Sequence, residues 1–563
     1  MTQLSRNEAI KESSNLLRGT IAEGLKEQIS GAIADDDTQL TKFHGIYQQD
    51  DRDLRPERAK KKMEKAFSFM ARLRVPGGVL TPRQWIALQD MAEERGNGTL
   101  RLTTRQTIQF HGIIKGNLRP AIRAIHNAML DTIAACGDVN RNVICTPNPY
   151  RSSVHREALA TAQAISAHLL PRSRAWHEIF IDGEPVAGGE EEDEPILGRT
   201  YLPRKFKIAI AVPPLNDVDA FAHEIGFIAI VENGSIVGYN VVVGGGMGMT
   251  HGEPDTFPRT GDLIGFIRPD QVLIVAEHVV TVQRDWGDRS DRKHARLKYT
   301  IERHGLAAFV AELERRLGFE LAPARSFAFE RSGDPIGWTR GDDGLWHCCV
   351  FIENGRVKGQ QLSGLTAIAA QHDGAFIITP NQNLIVAGVT PERQPVIQEL
   401  LEGHGLAGSI SALRRNAMAC VALPTCGLAL AESERYLPDL ITALETELYR
   451  AGLREDEITI RMTGCPNGCA RPYLAEIGLV GVRPGIYNLY LGGAFDGTRL
   501  SKLHRREIGH DEIVSSLSSL FASYAQSRRP GEHFSDFAIR TGVIRPTIAG
   551  NRFHAELLPE PAL

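Results

Sequence analysis

Cysteine is scarce in this chain, eight residues in 563. That is too few, in too long a sequence, for the disulfide framework of a small secreted domain. Long apolar runs are missing as well: no stretch approaches the roughly 18 residues that a membrane-crossing helix requires. Residues 1–30 are charged and helix-forming, with no apolar segment ahead of a cleavage site, so no signal peptide is read there. Charge of one sign is not in excess. Sixty-four Lys and Arg against 68 Asp and Glu leave a net charge of -4, which gives no sign of a nucleic-acid partner. A dinucleotide fingerprint is lacking too. The nearest stretch, Gly244-Gly-Gly-Met-Gly-Met, has Met249 where the third glycine belongs, and reads as a tight backbone turn beside a cofactor. What remains is an ordinary globular composition, 42% hydrophobic and 23% charged, in a chain long enough for two to four domains. The cytoplasm is its expected location, without membrane attachment.

Half of the eight cysteines fall in two short segments near the C-terminal end. Cys420 and Cys426 lie in Ala-Cys-Val-Ala-Leu-Pro-Thr-Cys-Gly, and Cys465 and Cys469 in Thr-Gly-Cys-Pro-Asn-Gly-Cys-Ala. Four thiolates from two turn-rich loops suit an iron–sulfur cluster. A zinc knuckle prefers two to four residues between its cysteines, and the five-residue gap of the first pair is wide for one. Pro424, Pro466 and Gly468 keep these segments out of helix and free backbone N–H groups to point at sulfur. The other cysteines, Cys136, Cys145, Cys348 and Cys349, read as structural. Cys348 and Cys349 are adjacent on an apolar strand and face opposite ways.

The chain also contains itself twice. Gly98-Thr-Leu-Arg-Leu-Thr-Thr-Arg-Gln-Thr-Ile-Gln-Phe-His-Gly112 aligns without gaps on Gly374-Ala-Phe-Ile-Ile-Thr-Pro-Asn-Gln-Asn-Leu-Ile-Val-Ala-Gly388. Arg141-Asn142 matches Arg415-Asn416, and the stretches from Ile225 and Tyr239 match those from Ile477 and Tyr487. Repetition in this order predicts a duplicated α+β unit of roughly 220 residues. Helix signals recur within it. Thr81 caps a stretch with Pro82 in its first turn and Trp85, Leu88 and Met91 on one face. Leu437, Leu440, Ile441, Leu444 and Leu448 mark another, closed by Gly452.

Where the copies differ, chemistry shows. Arg101, Thr103, Arg105, Thr107, Gln109 and His111 occupy alternate positions, which one extended stretch would put on one face. Their counterparts include Ile377, Asn381, Ile385 and Ala387. A solvated strand face is the default for such alternation. Two Arg, a Gln and a His without Glu or Lys favour an anionic ligand instead.

These residues resemble the siroheme sulfite and nitrite reductase family. The resemblance rests on Cys-x5-Cys followed after about forty residues by Thr-Gly-Cys-Pro-Asn-Gly-Cys. It extends to Leu-Arg-Gly-Thr-Ile-Ala-Glu from Leu17, His-Gly-Ile-Tyr-Gln-Gln-Asp-Asp-Arg-Asp from His44, Leu-Pro-Arg-Lys-Phe-Lys from Leu202 and Gln-Arg-Asp-Trp-Gly from Gln283. Within the family the chain looks most like the hemoprotein (beta) components of NADPH-dependent sulfite reductases. The resemblance implies two pseudo-symmetric halves, each a ferredoxin-like repeat with a siroheme- and cluster-binding module, around a central cofactor cleft. The expected divisions are an N-terminal extension over 1–65, modules over 66–135 and 136–335, and their second copies over 336–405 and 406–563.

It also implies the cofactors, siroheme and a 4Fe–4S cluster ligated by Cys420, Cys426, Cys465 and Cys469, with Cys469 bridging to the siroheme iron. Arg101, Arg105, Gln109, His111 and Arg296 would hold the macrocycle's carboxylates and edge. Arg296 stands where the family often has Lys. Arg72, Arg141, Lys205 and Lys207 match the family's anion-binding set. Taken alone, Lys-Phe-Lys on a strand is usually a guard against edge-to-edge pairing. Its correspondence with the strand from Glu457, which leads into the second cysteine pair, favours a place in the cleft. The implied reaction is the six-electron reduction of sulfite to sulfide. With no nucleotide or flavin motif in the chain, electrons would come from an NADPH-oxidising flavoprotein (FAD/FMN). The polar segment before residue 60, helical around Glu8–Ile29, would be its dock or else a disordered tail. Nitrite reduction to ammonia, a ferredoxin-dependent sulfite reductase and, from another class, a non-catalytic iron–sulfur electron carrier are the alternatives. The acidic run Glu190–Glu194 reads as a solvated loop.

Overall fold

The computed structural model describes residues 4–172, 179–181, 184–187, 194–547 and 549–554. The duplication is visible in four five-stranded sheets that form two like pairs. In the first ferredoxin-like sheet the order is Ile46–Asp50, Phe67–Arg72, Ile108–Ile113, Leu100–Leu102 and Arg356–Val357. Its counterpart runs Gly337–Arg340, Trp346–Val350, Leu384–Val389, Ala375–Ile378 and Val79–Leu80. Each sheet thus borrows its last strand from the other half: Arg356 pairs with Arg101, and Leu80 with Phe376. One apolar core runs through both, where Trp85 stacks on Phe376 with ring centroids 5.2 Å apart.

The other two sheets are mixed. Ile144–Cys145, Ile208–Ala211 and Ile225–Glu232 are parallel neighbours, extended antiparallel by Ser235–Val243 and Asp262–Ile267. Ala417–Ala419, Ile460–Thr463, Ile477–Arg483, Ile486–Leu491 and Lys502–Ile508 repeat the plan. Equivalent backbone strain repeats with it. Asp219 and Arg471 each precede a short 3-10 turn at positive φ, +50° and +55°. The two are joined across the halves. Asp219 is fully buried and takes both Arg461 Nη1 at 2.6 Å and Arg471 Nε.

The helix signals are realised. Pro82–Arg95 starts with a Thr81–Gln84 capping box, and Trp85, Leu88 and Met91 are buried. Leu437–Arg450 buries all five of its periodic residues. Cys348 joins the shared ferredoxin-like core while Cys349 packs on the opposite face of its strand.

Two expectations change, and a third lies largely outside the described residues. The alternating face from Arg101 to His111 is a hairpin rather than one strand. Thr103 N donates to Thr107 O (3.0 Å) and Gln106 sits at φ +50°, so the chain reverses and Arg101 lies opposite Gln109. The N-terminal segment opens with two short helices, Arg6–Ser13 and Ile21–Lys26, and gives strand Ile46–Asp50 to the first ferredoxin-like sheet, so it is no loose tail. Ile10, Leu17, Leu40 and Phe43 enter the core, and buried Lys11 bonds Glu8 Oε1 (2.5 Å) and Leu202 O (3.1 Å). The acidic run falls outside the described residues apart from Glu194, which is buried and accepts from Arg172 N at 2.5 Å. Among the described residues no helix is long and apolar enough to cross a membrane.

Candidate functional site

A cavity of about 450 Å³ opens where the two halves meet, within the usual range for ligand pockets. Cys420, Cys426, Cys465 and Cys469 line one end, and Arg72, Arg141, Lys205 and Lys207 line it as well. So do Arg101, Arg105, Gln109 and His111. Arg296 does not. It lines a small adjoining cavity of about 30 Å³ behind Cys469, shared with Arg105, Lys205 and Lys207.

Local backbone chemistry shapes the cysteine end. Ala422 and Gly468 adopt positive φ, and a Cβ on Gly468 would come within 2.9 Å of Met247 O. The glycine-rich turn predicted to lie beside a cofactor therefore packs on this loop, and Met249 N donates to Pro466 O at 2.9 Å. Gly464 N points at Cys420 Sγ (3.3 Å), and Asn467 Nδ2 at Cys465 Sγ (3.4 Å). Burial first, then the neighbouring Cys469, pushes the Cys420, Cys426 and Cys465 thiols up, Cys465 to about 12. Thiols held so close ionise together only when a cationic centre takes them as thiolates. Among the described residues no three His, Cys, Asp or Glu converge on a single-ion site. The four thiols instead line one cavity together, which suits a polynuclear cluster.

The cation end is built from both halves of the sequence signal. With its amide oriented to satisfy both groups, Gln109 accepts from Arg72 Nε at 2.9 Å. Arg141 is anchored by Nε to Gly137 O (2.7 Å). Lys205 and Lys207 flank buried Phe206, which bridges to Asn140 just ahead of Ile208–Ala211. That strand lies between two others, so the Lys pair guards no sheet edge. Among the described residues neither ammonium group has a hydrogen-bond or ion-pair partner. Burial, then Arg204, lowers Lys205 to about 7, and burial with Lys205's charge holds Lys207 well below its usual value.

The residues expected at the macrocycle differ in how free they are. Arg105 keeps Nε without a partner although buried, and its Nη2 reaches Ile208 O at 3.2 Å. His111 Nδ1 lies 3.2 Å from Gln49 Oε1, while buried Nε2 has no partner; burial lowers its pKa to about 3, so the ring stays neutral. Arg101 has every guanidinium nitrogen engaged, on Glu434 Oε2 (2.9 Å), Leu102 O (2.6 Å) and Ala419 O (2.8 Å). Glu434 also takes Arg356 Nε at 2.6 Å and donates its own N–H to Cys420 O at 3.1 Å. Arg296 donates to buried Glu224 Oε1 at 2.7 Å. Thr107 faces the protein and bonds Leu73 O at 2.6 Å.

Several lining residues were assigned no role from the sequence, although Tyr47, Gln49 and Arg204 lie in stretches that carried the resemblance. Lys42, Tyr47 and Gln49 come from the N-terminal segment, and Arg204 and Arg292 from loops beside Asp138. The copy-to-copy comparison could not reach the N-terminal segment, which has no second copy; only the resemblance of the stretches from His44 and Leu202 marked Tyr47, Gln49 and Arg204.

Four thiols at one end of an interhalf cavity and unneutralised cations beside them define a redox protein with a metal–sulfur centre next to an anion site. The family model described as "Nitrite/Sulfite reductase ferredoxin-like half domain" matches residues 61–128 and 339–404, and "Nitrite and sulphite reductase 4Fe-4S domain" matches 160–321. The latter span is the first copy, whereas the cysteines lie in the second. A sulfite reductase (NADPH) hemoprotein beta-component of Methylobacterium radiotolerans is 58% identical over 98% of this chain and 91% of its own length. That of Chromohalobacter salexigens is 56% identical over 98% of each chain. The solved NirA protein of Mycobacterium tuberculosis superposes with a TM-score of 0.78 at 26% identity, covering 95% of this chain and 96% of its own. The chain belongs to the nitrite and sulfite reductase family.

The site fits the cofactors of that family, siroheme and a 4Fe–4S cluster. Four thiols line the cavity, and Arg105 and His111, whose Nε and Nε2 are buried without a partner, line it with them.

Proposed function

We propose that the chain is the hemoprotein subunit of an assimilatory sulfite reductase, reducing sulfite to sulfide with six electrons. The observation that carries this is one cavity holding both the four cysteines and the four cations Arg72, Arg141, Lys205 and Lys207. The 58% and 56% identical relatives bear the sulfite reductase name over nearly their whole length.

Siroheme coupled to the cluster would supply the iron that binds sulfur and the electrons delivered to it. Cys420, Cys426, Cys465 and Cys469 are the proposed cluster ligands, Cys469 the bridging one. Arg105, Gln109, His111 and Arg296 are proposed at the macrocycle, with Arg101 joining that wall to the Cys420 segment through Glu434. The remaining work belongs to the cations. Arg72 and Arg141 bind the dianion's oxygens, each held by a protein carbonyl or amide that fixes its direction. Lys205 Nζ and Lys207 Nζ offset the negative charge and hand protons to oxygens leaving as water. A lysine near pH 7 gives up a proton and regains it readily, which suits repeated use in one turnover.

The electron donor is proposed to be an NADPH-oxidising flavoprotein, on the relatives' name and the missing nucleotide motif, and the cytoplasm is the proposed location. The expected domain divisions remain part of this proposal, with the two ferredoxin-like matches over 61–128 and 339–404 as their support. Sulfide release from sulfite, driven by a chemical one-electron reductant, tests the function. Turnover of nitrite alone would reassign the chain to nitrite reduction, and turnover of neither would overturn the reading.

A further inference from the structure

The His44–Asp53 motif carried resemblance in the sequence but no role in the chemistry above. Its chain runs along the cavity wall: Lys42, Tyr47 and Gln49 all line it. The Tyr47 ring lies between two cations, with Lys42 Nζ 5.6 Å and the Arg72 guanidinium carbon 6.0 Å from its centroid. Among the described residues no group accepts or donates a hydrogen bond at the Tyr47 hydroxyl. Lys42 bonds only Gln39 Oε1, at 2.6 Å, which leaves two of its three donors unclaimed. A phenol and an ammonium in this state at the rim of an anion site are donors awaiting an acceptor.

We infer that Lys42 and Tyr47 form a fourth wall of the anion site, where Tyr47 Oη–H donates to an oxygen of the bound oxyanion and Lys42 draws the anion in from the mouth. The inference rests on the sulfite-reducing reading of the same cavity. The Arg72 guanidinium lies over the Tyr47 ring, so the hydroxyl and the guanidinium line the same wall. Burial raises the phenol's pKa and keeps it a donor, while burial and the charge of Arg292 lower Lys42 to about 8, leaving it mostly charged at neutrality. The groups facing Lys42 are Arg292, Arg204, Asp138 and Cys136, and Asp138 is already committed to Arg292 at 2.7 Å. Among the described residues Lys42 therefore pairs with no carboxylate and bonds only Gln39. The segment owes its fixed position to Gly45, where φ is +78° and a Cβ would come within 2.4 Å of Thr132 O.

The test is a titration of the purified, cofactor-loaded protein with sulfite, followed by the shift of its visible bands, for wild type, Tyr47→Phe and Lys42→Met. Tyr47→Phe keeps the ring between its cations and loses only the hydroxyl. Its dissociation constant for sulfite is expected to rise roughly tenfold with band intensities unchanged, the scale of one hydrogen bond to a charged group. Lys42→Met is expected to raise KM several-fold with kcat nearly unchanged and to flatten the dependence of kcat/KM on ionic strength, while Lys42→Arg restores both. Wild-type affinity in both variants would overturn the inference. If Tyr47→Phe fails to take up cofactor, the half-buried Lys42 decides alone, and wild-type KM and salt dependence in Lys42→Met count against it. A wild-type protein whose bands ignore sulfite would instead sink the functional reading itself.

Discussion

Removing the Asp219 carboxylate should loosen the seam between the two halves of the molecule. Asp219 is fully buried and sits between Arg461 and Arg471, whose side chains are 3% and 5% exposed. Arg471 in turn donates to Thr104 O (3.2 Å) and Pro380 O (3.0 Å), and Thr104 Oγ1 bonds Cys469 O at 3.2 Å. Asp219→Ala leaves two buried guanidinium groups without a countercharge, a loss of about 3–5 kcal/mol. Unfolding entropy is about 2.1 cal/mol/K per residue, or about 1.2 kcal/mol/K over the whole chain, so the midpoint should fall by about 3–4 °C. Asp219→Asn tolerates the positive φ of +50° and keeps one acceptor, so it should cost less. The assay is thermal unfolding of both variants alongside their iron and siroheme content. Because the chain of contacts ends at Cys469, Asp219→Ala should also lose cofactor in proportion. An unfolding midpoint within half a degree of wild type, with full cofactor, would refute the reasoning.

Other consequences follow from the same geometry. Cys469→Ser should abolish magnetic coupling between cluster and heme in Mössbauer spectra, and retention of wild-type coupling would remove Cys469 as the bridge. Arg141→Ala should slow sulfite turnover by roughly a hundredfold, the scale of one lost oxyanion donor, with both cofactors in place; an unchanged rate would take Arg141 out of the mechanism. For Lys205 the folded value of about 7 lies below the usual 10.5. The unfolded chain therefore holds more protons between those values, and this group makes folding more favourable as pH rises through that window. Activity moves the other way, since the proton donor is lost as pH rises through about 7. Lys205→Arg should shift that falling limb upward in kcat/KM profiles, the substrate's own ionisation being common to both proteins.

Much of this was legible in the sequence because duplication separates what a fold needs from what a site needs. Glycines and apolar residues agree between copies, whereas Arg101, Arg105, Gln109 and His111 face Ile377, Asn381, Ile385 and Ala387. The cysteine spacing and the Lys205–Lys207 pair announced the rest. Alternation could not reveal the reversal at Gln106, since a hairpin with an odd turn, here the three residues between Thr103 and Thr107, keeps the same alternate residues on one face. Nor could it show that Arg101 answers Glu434, more than three hundred residues away and in no motif. The N-terminal segment was least legible. Its charge suggested a tail, but Glu8 and Lys11 neutralise each other inside the protein, where Arg289 also reaches Glu8 at 2.6 Å. Lys42 and Tyr47 reach the cavity only because that segment is folded against it.

The most direct test of the central claim is the visible absorption spectrum of anaerobically purified protein, taken before and after sulfite is added to the reduced form. Siroheme bands that shift on addition are expected. A broad iron–sulfur shoulder without a heme band, unmoved by sulfite, would contradict the account and leave an electron carrier in its place.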